Sequence, residues 1–140
     1  MQTFSAQVSE HVRRYKQRMD AVFKESAQEV VSRAQTSQPS VTVTGGTFVV
    51  GKIPVGEAGF LRDSLISGIN GSYSFEGPES YVLAIAGADI GDTIQAGWTA
   101  EYAPYVEYGT KYMDGRFFLR ANAQQWQQIV NENSARLMGR

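Results

Sequence analysis

Apolar residues in the first quarter of the chain recur at helical spacing. From Phe4 to Ala34 they fall three or four positions apart, with one interruption around Ser26. This is the period of an amphipathic α-helix, and Pro39 would end any continuation of it. The pattern therefore predicts a long N-terminal helix within residues 1–38.

The predicted helix is longer than the domain that would carry it. At 1.5 Å per residue, a helix from Phe4 to Ala34 measures about 46 Å. A compact domain of this size has a diameter of about 37 Å. The helix should therefore either break near Ser26 or extend beyond the domain and pack on a neighbouring subunit, and we favour the second arrangement.

Two β-rich runs follow the helix and predict a hairpin. Residues 41–50 read VTVTGGTFVV, and Gly45-Gly46 is a two-residue turn signal because glycine tolerates positive φ at both positions. We expect a protruding hairpin arm within residues 41–55 that becomes ordered on assembly. Phe48 is a candidate contact residue of this arm.

The centre of the chain has the alternation of β-strands. Residues 80–86 and 93–100 alternate apolar and polar positions, and they predict an antiparallel pair joined by the turn GADIGD. A short helical turn over residues 59–64 leads into a further predicted strand over residues 65–69.

The C-terminal part returns to helical spacing. From Phe118 onward, apolar residues at heptad-like intervals predict a helix within residues 117–138 that packs on the sheet. The elements together predict one α+β domain over residues 1–140, with a mostly antiparallel sheet covered by helices.

The segment YAPYVEYGT, residues 102–110, predicts a very short helix. Pro104 suits the first turn because its φ is fixed near the helical value, and Gly109 suits the left-handed residue just after the end. Four tyrosines lie three or four residues apart in and after this helix: Tyr102, Tyr105, Tyr108 and Tyr112. Tyrosine covers a protein's own core as readily as it forms a contact between subunits, so both interpretations stay open here.

This segment and two others resemble a family of tailed-phage proteins. The other two read GFLRDSL at residues 59–65 and RFFLRA at residues 116–121. The combination resembles the tail-completion, or head–tail joining, proteins of the phage neck over roughly residues 58–123, with the N-terminal 57 residues outside the resemblance. Ala58 and Phe117 depart from the family pattern, which usually has threonine and proline there.

The resemblance implies a structural protein with no catalytic group, metal or cofactor. It implies a ring of identical subunits, a hexamer, that completes the tail and joins it to the head connector in the virion. Its partners would be other copies of the chain, the tail tube protein and the head connector or neck protein, with DNA passing through the ring without specific binding. The candidate interface residues are Phe48, Arg62, Tyr102, Tyr105, Glu107, Tyr108 and Arg116.

Two of these residues could form an ion pair. The guanidinium of Arg116 offers a planar fork that could clamp the Glu107 carboxylate, within one subunit or between two. A solvated guanidinium is the alternative for Arg116, for Arg62 and for Arg120.

The net charge of −1 conceals an uneven distribution. Residues 1–36 contain six basic and four acidic residues, residues 37–110 contain two and eight, and residues 111–140 contain five and two. The chain lacks the basic stripe with interleaved aromatic residues that stable DNA binding requires. An acidic middle segment that lined a ring would instead repel DNA and let it slide.

Composition and motifs exclude or disfavour several other functions. The chain has no cysteine, which excludes disulfides, thiolate metal sites and cysteine nucleophiles. No signal-peptide core or membrane span is apparent, so we expect a protein made in the host cytoplasm with no membrane partner. Residues 46–52 read GTFVVGK, but Ile53 replaces the hydroxyl residue that a P-loop uses to hold magnesium.

The remaining candidate residues for chemistry have simpler explanations. His11 is the only histidine, on the predicted helix, and Asp89 and Asp92 flank a tight turn that could also seat calcium. Glu101 and Glu107 could form an acid–base pair, but nothing around them marks a cleft. A small hydrolase or nucleotide-binding protein is therefore the less favoured alternative, and another neck, minor tail or head component is the nearer one.

Overall fold

The computed structural model describes residues 3–39, 44–55 and 60–138. The helices are α1 (Phe4–Ala34), α2 (Phe60–Asp63), α3 (Ser80–Ala86), α4 (Ala103–Tyr108), α5 (Arg120–Ala123) and α6 (Trp126–Met138). The strands are β1 (Ser37–Pro39), β2 (Ile53–Val55), β3 (Leu65–Ile69), β4 (Phe75–Glu76), β5 (Ile94–Trp98), β6 (Gly109–Thr110) and β7 (Met113–Asp114). The predicted α+β class, with a long N-terminal helix, an antiparallel sheet and a C-terminal helix, is confirmed.

Helix α1 is continuous over the range that the sequence predicts. Thr3 caps its first turn, because the threonine hydroxyl accepts a hydrogen bond from the Ala6 N–H at 3.1 Å. There is no break at Ser26. The Ser26 hydroxyl is fully buried and accepts a hydrogen bond at 3.1 Å from Nδ2 of Asn133, on α6. The polar residue that interrupts the apolar pattern is thus a point of contact between two helices.

The main sheet has three antiparallel strands in the order β4-β3-β5. Leu65 of β3 lies opposite Trp98 of β5, and Ile69 lies opposite Ile94. The strands predicted at residues 65–69 and 93–100 are both present. Gly68 is required in β3, since a Cβ there would lie 1.6 Å from the carbonyl oxygen of Ser72.

The prediction of a strand over residues 80–86 is wrong, because this segment forms helix α3. Its buried residues, Ser80, Ala84 and Ile85, have helical rather than alternating spacing. Strand β3 pairs with β4 on one edge and with β5 on the other. The antiparallel partner of β5 is therefore β3 and not residues 80–86. Helix α3 instead packs against the sheet, where the hydroxyls of Ser67 and Ser80 lie 3.0 Å apart.

The region of the predicted hairpin differs from the expectation. Residues 40–43 lie outside the described residues, and residues 44–50 contain no strand. Gly45 and Gly46 do have positive φ, 79° and 113°. The strand that follows, β2, pairs in parallel with β1.

The loop between Gly46 and β2 is tied to the body of the protein. The side chain of Gln38 accepts a hydrogen bond from the Val49 N–H at 2.7 Å, and its Nε2 donates to the carbonyl oxygens of Val49 and Lys52. Nδ2 of Asn122 donates to the carbonyl oxygen of Gly51 at 2.8 Å. In a hairpin, backbone groups of the two strands would hydrogen-bond to each other. Here the backbone groups hydrogen-bond to the buried side-chain amides of Gln38 and Asn122.

The C-terminal helix is present, but it begins at Arg120 and is divided into α5 and α6. Its main contact is α1 rather than the sheet. Besides the buried pair of Ser26 and Asn133, the rings of Phe23 and Trp126 meet edge to face at 6.4 Å. The C-terminal helix therefore packs on α1, and a separate hydrophobic core cluster is formed by Ile53, Leu61, Ala100, Ala103 and Phe118.

The buried pair of Ser26 and Asn133 gives a test of this packing. Replacing Ser26 by alanine leaves Nδ2 of Asn133 without its partner inside the helix interface, so we expect a loss of about 1–3 kcal/mol in the free energy of unfolding. Urea denaturation measures the change. The matched control is Ser9→Ala on the exposed part of α1, where the change should stay within about 0.5 kcal/mol.

The double variant Ser26→Ala/Asn133→Leu removes both polar groups and should recover most of that loss. Equal stability of Ser26→Ala and the wild-type protein would contradict the packing.

Candidate functional site

The tyrosines of residues 102–110 lie on the outside of helix α4. Pro104 lies in the first turn of the helix, and Gly109 follows its last residue with φ of 85°. Ala103 and Glu107 point inward, whereas Tyr105 and Tyr108 are 60% and 63% exposed. The tyrosines therefore do not cover this chain's own core.

One further ring extends this surface. Phe60, at the start of α2, is exposed and stacks on Tyr102 with centroids 6.2 Å apart. Phe60, Tyr102, Tyr105 and Tyr108 are called the aromatic face below. The three tyrosines were predicted from the sequence as candidate contact residues, whereas Phe60 was not, although it lies inside the GFLRDSL motif.

Glu107 belongs to the interior rather than to a surface. It is 5% exposed, and its carboxylate accepts hydrogen bonds from the N–H groups of Leu119 at 3.1 Å and Arg120 at 2.8 Å. These N–H groups are at the start of α5, where a helix lacks internal partners and favours negative charge. Glu107 thus ties α4 to α5, and its expected role in a contact between subunits does not fit its burial.

Arg116 is also buried, at 5% exposure. Its guanidinium lies over the ring of Phe48, 4.2 Å from the centroid, and donates to the carbonyl oxygen of Asp114 at 2.6 Å. Its Nε has no hydrogen-bond partner among the described residues. Within the described chain no ion pair joins Arg116 to Glu107, so the predicted pair is not formed inside one subunit.

Phe48, which we expected on a protruding arm, instead stacks on Arg116. Phe48 is half-buried, and the nearby Gly51 N–H donates to the carbonyl oxygen of Arg116 at 2.8 Å. The described part of the 44–52 loop therefore lies against the segment that contains Arg116.

Arg62 is half-buried and contacts Gln35, a buried residue that sequence analysis missed. Nε of Arg62 donates to the Gln35 carbonyl oxygen at 2.9 Å. The Gln35 side chain donates to the carbonyl oxygens of Arg62 and Pro78 and accepts from Nε1 of Trp98 at 2.9 Å. Gln35 thus links the end of α1 to α2 and β5, and no sequence pattern marked it, because a glutamine after a helix is common.

The groups considered for chemistry have structural partners. Both carboxylate oxygens of Asp92 accept hydrogen bonds, from Nδ2 of Asn70 and from the Asp89 N–H, and these bonds lower the pKa of Asp92. Both oxygens of Glu107 are also occupied, while Glu101 is exposed. Among residues 3–39, 44–55 and 60–138, no cluster of acidic or histidine side chains could hold a metal ion.

A second apolar surface lies along the N-terminal half of α1. Every residue from 3 to 19 is exposed except Glu10, which is half-buried. Its apolar members recur at helical spacing and are called the α1 stripe: Phe4, Val8, Val12, Tyr15 and Met19. Val12, Tyr15 and Met19 of the stripe line a groove of about 790 Å³ together with Asp89 and Ile90. No helix in the described part of the chain is long and apolar enough to cross a bilayer.

The charges on this half of α1 are mostly basic. Glu10 accepts hydrogen bonds from Arg13 and Arg14, and the bond from Arg13 contributes most to lowering the pKa of Glu10 to about 2. Lys16 and Arg18 form no ion pair within the described chain. The exposed half of α1 is therefore an apolar stripe with basic flanks.

Glu107 and Glu101 provide a matched pair of variants. Glu107→Gln retains the shape but replaces one accepting oxygen by an NH₂ group that faces a backbone N–H, so we expect a loss of about 1.5–3 kcal/mol in the free energy of unfolding. Glu101→Gln, on the surface, should change it by less than about 0.5 kcal/mol. Chemical denaturation measures both, and equal effects would refute the buried role of Glu107.

Proline, which the family usually has at the position of Phe117, should destabilise this chain. The φ of Phe117 is 49°, and its N–H donates to the Glu107 carbonyl oxygen at 3.1 Å. Proline cannot adopt this φ and has no N–H, so Phe117→Pro should lower the free energy of unfolding by about 3 kcal/mol or more.

Phe117→Gly retains the N–H and relieves the positive φ, so thermal denaturation should show a much smaller loss for glycine than for proline. A proline variant as stable as the wild-type protein would show that the chain does not adopt this turn.

Comparison with known protein families identifies a match over most of the chain. A family model described as "HK97-gp10_like: Bacteriophage HK97-gp10, putative tail-component" matches residues 2–109. This range differs from the resemblance described above, because it includes the N-terminal helix and ends before the RFFLRA segment. No curated protein and no solved structure matches the chain significantly. Since the match spans more than half of its residues, the chain belongs to the HK97-gp10-like family of bacteriophage tail components.

Proposed function

We propose that this protein is a structural subunit of a tailed-phage particle, and that copies of it form a ring that completes the tail and joins it to the head connector. Membership of a tail-component family supports the place in the particle. The observation that carries the assembly role is that one chain has two separate exposed apolar surfaces, the aromatic face and the α1 stripe. A soluble monomer rarely leaves such surfaces uncovered.

The mechanism is geometric rather than chemical. Identical subunits that meet through two different surfaces close into a ring when the rotation between them divides a full turn. One face of the ring would end the growth of the tail tube, and the opposite face would meet the head connector. The hexameric number is an expectation from the resemblance to tail-completion proteins.

The charge of the middle segment is compatible with a channel for DNA. Among the described residues of this segment, five acidic side chains are exposed: Asp63, Glu76, Glu79, Asp89 and Glu101. If they faced the inside of the ring, they would repel the phosphates and prevent DNA from adhering. A ring whose lumen is lined mainly by lysine and arginine would contradict this part of the proposal.

Loss of the protein should stop assembly at one step. In the phage or prophage that encodes the chain, a nonsense mutation in its gene should give filled heads and separate tails, and the wild-type gene in trans should restore joined particles. Electron microscopy of lysates measures the fraction of joined particles. Labelling of the protein elsewhere in the particle would instead identify a different minor head or tail component.

The surface variant Tyr105→Asp tests whether the aromatic face acts in this step. It should fold normally, since Tyr105 is exposed, but fail to restore joined particles. Gln128→Asp, on the exposed side of α6, is the matched control and should restore them. Purified virions that lack the protein would overturn the proposal, as would hydrolysis of a small substrate or nucleotide that a single side-chain change abolishes.

A further inference from the structure

We propose that the exposed half of α1, residues 3–19, docks on the aromatic face of a neighbouring copy of the chain. Copies of the protein would therefore associate head to tail, with two different surfaces in each contact. This inference deepens the proposed ring by naming its two contact surfaces.

The first argument is that the α1 stripe stays exposed in the described chain, with only Asp89 and Ile90 forming a wall of the groove beside Val12, Tyr15 and Met19. The contacts of α1 with α3, α5 and α6 involve its C-terminal half, where Val22, Ser26 and Ala34 are buried. Phe4, at the other end, is 81% exposed. Residues 3–19 span about 25 Å at 1.5 Å per residue, and their apolar residues follow one side of the helix.

The second argument is charge complementarity between the two surfaces. Residues 3–19 contain four basic residues and one acidic residue, so their net charge is +3. The aromatic face is flanked by two exposed carboxylates, Asp63 and Glu101, and the neighbouring Arg62 is held by the Gln35 carbonyl oxygen. Opposite charges favour the docking of one surface on the other.

The third argument excludes the simplest alternative, a symmetric contact between two copies of α1. A two-fold contact places the same patch of both subunits together. Here it would bring two segments of charge +3 together, and Lys16 and Arg18 have no ion pair of their own within the described chain to offset the repulsion. Docking on the aromatic face instead gives these cations carboxylates and exposed ring faces, to which they are attracted.

The size of the contact sets the strength of association. A footprint of about 25 Å by 10 Å is well below the roughly 800 Å² that each partner buries in a stable complex. A single contact is therefore weak, and a closed ring gains strength because every copy makes two contacts. The experiment must accordingly detect a transient contact.

The chain contains no cysteine, so introduced cysteines report single contacts. We would mix full-length Val12→Cys and Tyr105→Cys proteins at high concentration and low salt with a long, flexible bis-maleimide. The expected product is a covalent dimer that contains one chain of each variant. Either variant alone should give little dimer, and Val12→Cys mixed with Gln128→Cys, on exposed α6, is the matched control.

A charge reversal tests the specificity of the crosslink. Lys16→Glu/Arg18→Glu in the Val12→Cys chain should lower the crosslinked yield roughly fivefold, as expected for the loss of two exposed ion pairs. Asp63→Lys/Glu101→Lys in the Tyr105→Cys chain should restore it. Added salt should lower the yield of the unreversed pair.

Three outcomes overturn the inference: no mixed dimer above the control, a dimer of Val12→Cys with itself as the main product, or charge reversals without effect. Failure of this docking can be distinguished from failure of the proposed function. If the mixed dimer is absent but the nonsense mutant still yields separate heads and tails, only the docking surfaces are wrong. If the mixed dimer forms but virions lack the protein, the docking stands and the proposed function fails.

Discussion

The carboxylate of Glu107 holds together the part of the molecule that carries the aromatic face. It accepts the first free N–H groups of α5 from inside α4, while the backbone of Glu107 also accepts the N–H of Phe117. Because one side of this short helix is fixed by the buried, hydrogen-bonded side chain of Glu107, its other side can present tyrosines in a fixed arrangement. A helix of six residues would not be stable without such tertiary support.

A second constraint acts in the helix pair formed by α1 and α6. Helix α6 covers only the C-terminal half of α1, through the Ser26–Asn133 hydrogen bond and the Phe23–Trp126 contact. The N-terminal half of α1 continues for about five further turns, and its residues from 3 to 19 stay exposed in the described part of the chain except for Glu10. The same rigid element therefore has one end in the fold and one end available for association, which is a suitable arrangement for a subunit that must bind copies of itself.

Several features of the fold and of the site could be predicted from the sequence because they are local. The apolar period predicts the bounds of α1 and the strand β3. Pro104 and Gly109 predict the limits of α4, which runs from Ala103 to Tyr108. The strand prediction for residues 80–86 failed because a short apolar run has no reliable period. In the folded protein β3 pairs with β4 and β5, and residues 80–86 form a helix. The roles of Glu107 and Arg116 were missed because burial of a charged group depends on distant backbone groups.

The sequence by itself determined which segments are helical or extended at strong local signals, which tyrosines recur at helical spacing, and which function classes lack the necessary residues. These properties depend on spacing and on residue type, which a linear chain already contains. Only the tertiary structure decided that Glu107, Arg116 and Phe48 serve the interior, that Gln35 links three elements, and that the α1 stripe stays exposed within the described chain. These are properties of contacts between residues far apart in the chain, and they exist only once the backbone has folded.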